Sequence, residues 1–213
     1  GGYQAVSSGG SATLTTISSG GRQYVYNGGS ATDTTINSGG YQYVSSGGSA
    51  TDTTINSGGR QHVSSGGLAT STIIKAEGIQ HVFNGGLATD TIINTFGVQH
   101  VSSGGSATST NINGGQQHVS SGGSAISTTI SGGGQLVSSG GTATSTTINS
   151  DGRQYVANGG SATTTTVKTD GIQFVDGGIA TSTFISGGTQ LVYNGGKASS
   201  TTIGDQYSYT TAY

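Results

Sequence analysis

Apolar residues are few in this chain, and they recur at a fixed distance from a repeating glutamine. The second residue after that glutamine is valine, the eighth is alanine in nearly every copy, and the thirteenth is isoleucine or valine in full-length copies. Ser, Thr, Asn and Gly stand between these columns, in two short β-branched runs that each end at a Gly-Gly turn. Neither run is long enough for a useful helix, so the pattern predicts short strands and tight turns.

The repeat is 19 residues long, with steps of 18, 17 or 16 in some copies. Its glutamines are Gln4, Gln23, Gln42, Gln61, Gln80, Gln99, Gln117, Gln135, Gln154, Gln173, Gln190 and Gln206. A unit this short cannot bury a core alone, so we expect each repeat to form one coil of a parallel β-helix, stacked at about 4.8 Å on the next coil. This all-β solenoid should cover residues 1–203, and residues 204–213 should be a degenerate final coil or a frayed tail.

Side chains alternate between the two faces of a strand, so the glutamine and the valine two residues later should point to the same side. If the valines face the interior, the glutamines form an internal ladder of stacked amides, each bonded to the next coil. The predicted interior therefore contains the valine, alanine and isoleucine columns together with the glutamines. The residues on either side of each valine should face outward.

Composition narrows the class of protein. The chain has no Cys, Met, Trp or Pro, 42 of its 213 residues are Gly, and 7% are charged. Low hydrophobicity often indicates disorder, but the regular recurrence of the apolar residues indicates a fold. A formal charge of −2 without a basic stripe predicts no nucleic-acid partner. The lack of cysteine suits export, and because no signal segment begins at Gly1 we expect a mature or excised part of a protein.

Two outward columns contain titratable residues. Four consecutive repeats have histidine directly after the glutamine, namely His62, His81, His100 and His118. Stacked rings about 4.8 Å apart do not converge on one ion, so we expect neither a metal site nor a cofactor. Asp33, Asp52 and Asp90 share another column, where they do not face each other across a cleft as glycosidase acids do. We therefore expect no catalytic residues and no enzyme.

A pair of serines follows the valine in six repeats. The first serine of each pair should face outward beside a Gly-Gly corner, which makes it the preferred O-glycosyl acceptor: Ser7, Ser45, Ser64, Ser102, Ser120 and Ser138. The second serine alternates with Asn, which favours a bond within its own turn or an inward ladder and makes it the second choice: Ser8, Ser46, Ser65, Ser103, Ser121 and Ser139. The simpler alternative is that these serines are small, soluble turn residues. No Asn-x-Ser/Thr sequon occurs, so any sugar should be O-linked.

The unit V-S-S-G-G-S-A-T-x-T-T-I-N-S-G-G-x-Q-Y/H-V resembles the passenger repeat of the self-associating autotransporters of Gram-negative bacteria, from Gly1 to about Ile203. This is the family of the adhesin involved in diffuse adherence and TibA, with the TibA type favoured. The resemblance implies a right-handed parallel β-helix on the bacterial outer-membrane surface, or secreted, that works in adhesion, invasion and autoaggregation. It also implies heptose on repeat serines, added by a cytoplasmic heptosyltransferase.

The partners that the resemblance implies are that transferase, like passengers on neighbouring cells and the host cell surface. Two alternatives from other functional classes stay open. The first is a structural stalk that presents a distal adhesive region. The second is a polysaccharide-degrading β-helix enzyme, which the short and nearly identical turns disfavour, because such enzymes use long loops to wall a cleft.

Overall fold

The computed structural model describes residues 1–204 and the backbone of the strand Tyr209–Ala212. In this part of the chain the structure is all β, and no helix is long and apolar enough to cross a membrane. Every coil contributes one strand to each of three parallel sheets, which surround a common interior. The predicted parallel β-solenoid is therefore confirmed, and it has about eleven coils.

Each sheet is named here after its buried apolar column. The strands of the valine sheet are Tyr3–Val6, Arg22–Val25, Tyr41–Val44, Arg60–Val63, Ile79–Val82, Val98–Val101, Gln116–Val119, Gly134–Val137, Arg153–Ala157, Ile172–Asp176, Thr189–Tyr193 and Tyr209–Ala212. The strands of the alanine sheet are Ser11–Thr13, Ser30–Thr32, Ser49–Thr51, Leu68–Thr70, Leu87–Thr89, Ser106–Thr108, Ser124–Ile126, Thr142–Thr144, Ser161–Thr163, Ile179–Thr181 and Lys197–Ser199. The strands of the isoleucine sheet are Thr16–Ile17, Thr35–Ile36, Thr54–Ile55, Ile73–Ile74, Ile92–Asn94, Asn111–Asn113, Thr129–Ser131, Thr147–Ile148, Thr166–Lys168, Phe184–Ser186 and Thr202–Ile203.

Three apolar columns face the interior, one from each sheet, as the sequence pattern predicts. Val44, Ala50 and Ile55 of a single coil are all 0% exposed. The same columns stay buried in the coils above and below, so the stack makes one continuous core that no isolated repeat could form. Burial of this apolar surface favours the stacked state in proportion to its area.

The glutamines form the predicted amide ladder inside the rod. The Nε2 of each glutamine donates to the Oε1 of the glutamine one coil earlier, at 2.6–2.7 Å from Gln23 through Gln190. These amides are buried, and no buried side-chain nitrogen or oxygen in residues 1–204 lacks a partner. A buried polar group is costly only when it is unpaired. The glutamine side chains can therefore fill part of the core without the free-energy penalty of unpaired buried polar groups.

A threonine column joins the ladder, and the sequence pattern did not single it out. The Oγ1 of each of these threonines donates to the glutamine Oε1 of its own coil at 3.1–3.5 Å, as Thr110 does to Gln99. The available signal was invariance within the chain, since every full repeat has threonine at this place: Thr15, Thr34, Thr53, Thr72, Thr91, Thr110, Thr128, Thr146, Thr165, Thr183 and Thr201.

Shortened repeats keep the strand register. The step from Gln99 to Gln117 is one residue short, yet Val101 still lies opposite Val119. The missing residue is absorbed at a corner, where Asn94 and Gly114 form an isolated bridge. A slip of one residue inside a strand would turn every inward side chain outward, so length changes are tolerated only in the corners.

At the end of the chain, the strand Tyr209–Ala212 pairs with Thr189–Tyr193 and places Thr210 opposite Gln190. The sequence alignment had assigned that ladder position to Gln206, which lies outside the described residues. A strand therefore does continue the valine sheet in this region, but with a different register from the one expected. Whether residues 204–213 as a whole form a degenerate coil or a frayed tail stays a prediction.

We predict that Val101→Asp unfolds the middle coils. The new carboxylate would be buried between Val82 and Val119 without a partner, at a cost of about 3–5 kcal/mol. Chemical denaturation followed by circular dichroism measures the loss. The matched control is Ser109→Asp, because Asp33 already occupies the same corner position with nearly the same φ. Unchanged stability of the Val101 variant would contradict the inward assignment.

We also predict unequal effects for two adjacent glutamines of one strand. Gln117 bonds to Gln99, Gln135, Thr110 and Thr128, so Gln117→Leu leaves several buried groups unpaired and should destabilise the fold by about 1–3 kcal/mol per unpaired group. Gln116 is exposed on the outer face, and Gln116→Leu should change the free energy of unfolding by no more than about 0.5 kcal/mol. Equal effects would show that the ladder contributes nothing to stability.

Candidate functional site: the serine edge and the histidine ladder

The serine pairs lie in a tight turn between the valine sheet and the alanine sheet. In the third coil the Gly48 N–H donates to the Ser45 carbonyl oxygen at 2.8 Å, which closes a four-residue turn. The two central residues, Ser46 and Gly47, have φ values of 49° and 76°. Positive φ at both central residues defines a type I′ turn. The corner therefore requires residues that tolerate the left-handed region.

This turn type explains which residues occupy the corner. Type I′ turns favour Asn-Gly at the centre, and Asn27-Gly28 takes the place that Ser-Gly takes in other coils. The closing glycine has a steric reason instead, because a Cβ on Gly48 would collide with the backbone of Val25 in the preceding coil. The exchange of Ser and Asn between repeats therefore indicates a position with a left-handed backbone conformation.

Both serines of each pair present a hydroxyl at the surface. The first serine is half-buried and the second is exposed in all six pairs. None of these hydroxyls bonds to another residue within residues 1–204. The expectation that the second serine bonds its own turn or stacks inward is therefore wrong, because its left-handed backbone directs the side chain to solvent. Which of the two serines accepts a sugar stays a prediction.

The corners stack into a single row, which we call the serine edge: Ser7-Ser8, Ser45-Ser46, Ser64-Ser65, Ser102-Ser103, Ser120-Ser121 and Ser138-Ser139 with the equivalent corners between them. The Ser46 N–H donates to the Ser65 carbonyl oxygen of the next coil at 2.8 Å, and other coils repeat this bond. Serine pairs follow one another directly in the third and fourth coils and in the sixth to eighth coils. The fold therefore brings all twelve predicted candidate residues to one edge of the rod.

The histidine ladder, defined as His62, His81, His100 and His118, lies on the outer face of the valine sheet. Ring centroids of neighbouring histidines are 5.0 Å apart, and the first three rings are stacked with interplanar angles of 12–20°. The His118 ring is tilted by 62° from that of His100. The predicted stacking is thus present for three of the four rings. Among residues 1–204 no group of three or more His, Cys, Asp or Glu has the geometry to hold a metal ion.

The ladder disfavours protonation. Burial lowers the pKa of all four imidazoles, and repulsion adds to the effect at His62 and His81, where Arg60 contributes. His100 has a histidine on either side, and burial together with these neighbours lowers its pKa to about 4. The four rings therefore favour the neutral form at pH 7, in which one nitrogen of each ring has a proton and the other has a free lone pair.

Comparison with known proteins agrees with this geometry. The protein-family model of AIDA, described as adhesin of bacterial autotransporter system, probable stalk, matches residues 1–40, 36–78 and 112–152, which is more than half of the chain. A crystal structure of a TibC-catalysed, hyper-glycosylated TibA fragment is 46% identical, with a TM-score of 0.65. The similarity covers 99% of this chain and 92% of that fragment. A search of curated proteins finds no match.

The coil stack and these matches define the class of protein: the passenger of a bacterial autotransporter adhesin, which works at the cell surface or as a secreted rod. The chain belongs to the AIDA family of autotransporter adhesins. The resemblance stated from the repeat sequence is therefore confirmed. The structure also shows the geometry of the turns, which places the serine hydroxyls at the surface along the serine edge.

The lowered histidine pKa values predict acid sensitivity. Unfolding restores an ordinary histidine pKa near 6.5, so below that pH the unfolded chain binds more protons than the fold does. The contribution of the ladder to stability should therefore fall as the pH drops from about 6.5 towards 4, the folded pKa of His100. His100→Tyr places in the column a residue that Tyr43 already supplies, and its melting temperature should fall less over this range. Parallel melting curves for the variant and the original chain would contradict the prediction.

Proposed function

We propose that this chain is an O-heptosylated, self-associating part of an adhesin, with the serine edge as the acceptor surface for a cytoplasmic heptosyltransferase. The observation that carries the proposal is the in-register row of hydroxyls that bond to no other described residue. The matched TibA fragment, 46% identical, is named as hyper-glycosylated by TibC. A chain that resembles this fragment in sequence and fold and has accessible corner hydroxyls is a suitable substrate for the same chemistry.

The acceptor chemistry favours a corner over a sheet face. A transferase must bring an activated sugar and its own catalytic groups up to the hydroxyl, and a hydroxyl that bonds to no other residue of the fold is easier to reach. At the serine edge the hydroxyls project beside glycines, which lack side chains that would obstruct the approach. The alternation of side chains along the strand predicts that the first serine of each pair faces outward. The second serine is the more exposed of the two in the structure. The two sets of serines therefore have to be tested separately.

The proposal of self-association and host contact rests on the repeated polar columns of the outer surface and not on a binding pocket. Outward columns of Thr, Ser and Asn run along the sheets for eleven coils, so one rod can make many weak, similar contacts with another. Linked weak contacts gain strength through high effective concentration. Sugars on the serine edge would leave the isoleucine sheet clear, because that sheet forms the side opposite this corner.

A structural stalk is the second candidate, because the matching family is described as a probable stalk. In this alternative the coils provide reach and the adhesive contact lies elsewhere in the protein. The stacked coils suit the role, since each coil adds about 4.8 Å of length at constant cross-section. Both candidates use the same fold and differ in whether the coil surface itself makes contacts.

We predict that heptose is lost when the serine edge is altered. The chain is co-expressed with a heptosyltransferase of the TibC type and its intact mass is measured, since each sugar adds a fixed increment. Two variants replace by alanine either the six first serines or the six second serines, and a third replaces all twelve. The twelve-residue variant should lose most of the added mass while remaining folded by circular dichroism, because none of these side chains is buried in the core.

The matched control replaces six outward serines of the alanine sheet by alanine: Ser11, Ser30, Ser49, Ser106, Ser124 and Ser161. This control should keep the sugar mass. If the twelve-residue variant keeps it as well, or if the control loses it, the serine edge is not the acceptor surface. The two six-residue variants then report which serine of each pair is occupied.

Deletion of two coils distinguishes an adhesive surface from a stalk. Removal of residues 22–59 takes out two full repeats and joins Gly21 to Arg60 in register. Cells displaying this variant should aggregate and bind host cells more weakly if the coil surface makes the contacts, because contacts are lost in proportion to length. Settling rate and bound-cell counts at equal display measure this effect, and unchanged values per displayed chain would favour the stalk.

A further inference from the structure

The histidine ladder has features that neither adhesion nor glycosylation uses. Its four imidazoles occupy consecutive coils without interruption, and none of them bonds to another residue within residues 1–204. Each of these histidines is half-buried, so part of each residue remains accessible to solvent. The ladder therefore presents a row of imidazole side chains on a parallel sheet.

The residues beside the ladder leave imidazole as the only metal-binding group. On one side stand Arg60, Ile79, Val98 and Gln116, and on the other stand Ser64, Phe83, Ser102 and Ser120. Neither of these flanking columns contains a carboxylate at the level of the histidines. Imidazole without carboxylate suits late first-row transition metals and does not suit Ca²⁺ or Mg²⁺, which prefer oxygen ligands.

The spacing decides how many rings one ion can use. A metal–nitrogen bond is about 2.0–2.1 Å long, so two ligating nitrogens lie at most about 4.2 Å apart. Neighbouring ring centroids are 5.0 Å apart, so two neighbouring rings must turn towards each other to place one nitrogen of each within that limit. The final torsion of a histidine side chain is broad, and the tilted His118 shows that a rotated ring fits in this column. A third ring, one coil further away, is out of reach.

We propose that neighbouring imidazoles of the histidine ladder chelate a divalent late transition-metal ion in pairs, His62 with His81 and His100 with His118. Water completes the coordination of each ion. Cu²⁺ should bind most tightly, followed by Ni²⁺ and Zn²⁺, as the general order of metal affinities requires.

The test compares two double variants that keep the same number of histidines. His62→Tyr/His81→Tyr leaves the adjacent pair His100 and His118, whereas His81→Tyr/His100→Tyr leaves two histidines that are not neighbours. Tyrosine already occupies this column at Tyr43 and Tyr155, so both variants should fold, as circular dichroism can verify. Isothermal titration of a chain without an affinity tag, with Cu²⁺ and separately with Zn²⁺, gives affinity and stoichiometry.

The original chain should bind about two ions, the adjacent-pair variant about one, and the separated variant none above background. A variant with tyrosine at all four positions gives that background, including the amino terminus. Cu²⁺ electron paramagnetic resonance of the adjacent-pair variant should show coupling to imidazole nitrogens from two rings. Equal affinity of the two double variants, or coupling to a single ring, would overturn the proposal.

Discussion

The in-register glutamine ladder is the interaction on which the rest of this structure depends. Each amide donates to the coil before it and accepts from the coil after it, at 2.6–2.7 Å, so a glutamine bonds well only if its neighbours sit directly above and below. Parallel strands alone would tolerate a slip, whereas a slip here would expose the amides and the valines together. The ladder therefore fixes the register, and the register aligns every outward column.

The ladder also explains how a chain of low hydrophobicity can fold. A typical coil buries only one valine, one alanine and one isoleucine, which is little apolar surface for a unit of 19 residues. The remaining interior is filled by Gln and Thr side chains whose polar atoms bond to one another. Polar groups paired in this way avoid the desolvation penalty of unpaired ones, so the core can be half polar. The low hydrophobicity alone would have indicated disorder, whereas the regular recurrence of the apolar residues indicates a folded chain.

Sequence reasoning reached the parts of the structure that repeat with a clear period. The valine, alanine and isoleucine columns and the glutamine ladder followed from alternation along a strand, and the structure confirms them. Thr110 and its equivalents were missed because they lie at a corner, where alternation no longer tells which way a side chain points. For the same reason, Ser46 was expected to bond within its own turn or to join an inward ladder. Its exchange with Asn before a glycine was the available signal for a type I′ turn, which orients the side chain by backbone φ instead.

The inner and outer positions of each strand differ in which residue types they accept. The inner face of a strand admits only residues that continue a ladder, but the outer position beside each valine holds Ala5, Tyr24, His62, Leu136 and Phe174 without a change of register. Such a position is constrained only by its two stacked neighbours. The chemistry of a rod face can therefore change one coil at a time while the core stays the same. Chemical features of the surface therefore depend on runs of coils. The row of hydroxyls at the serine edge and the row of imidazoles on the valine sheet are each as long as the unbroken run of repeats that encodes it.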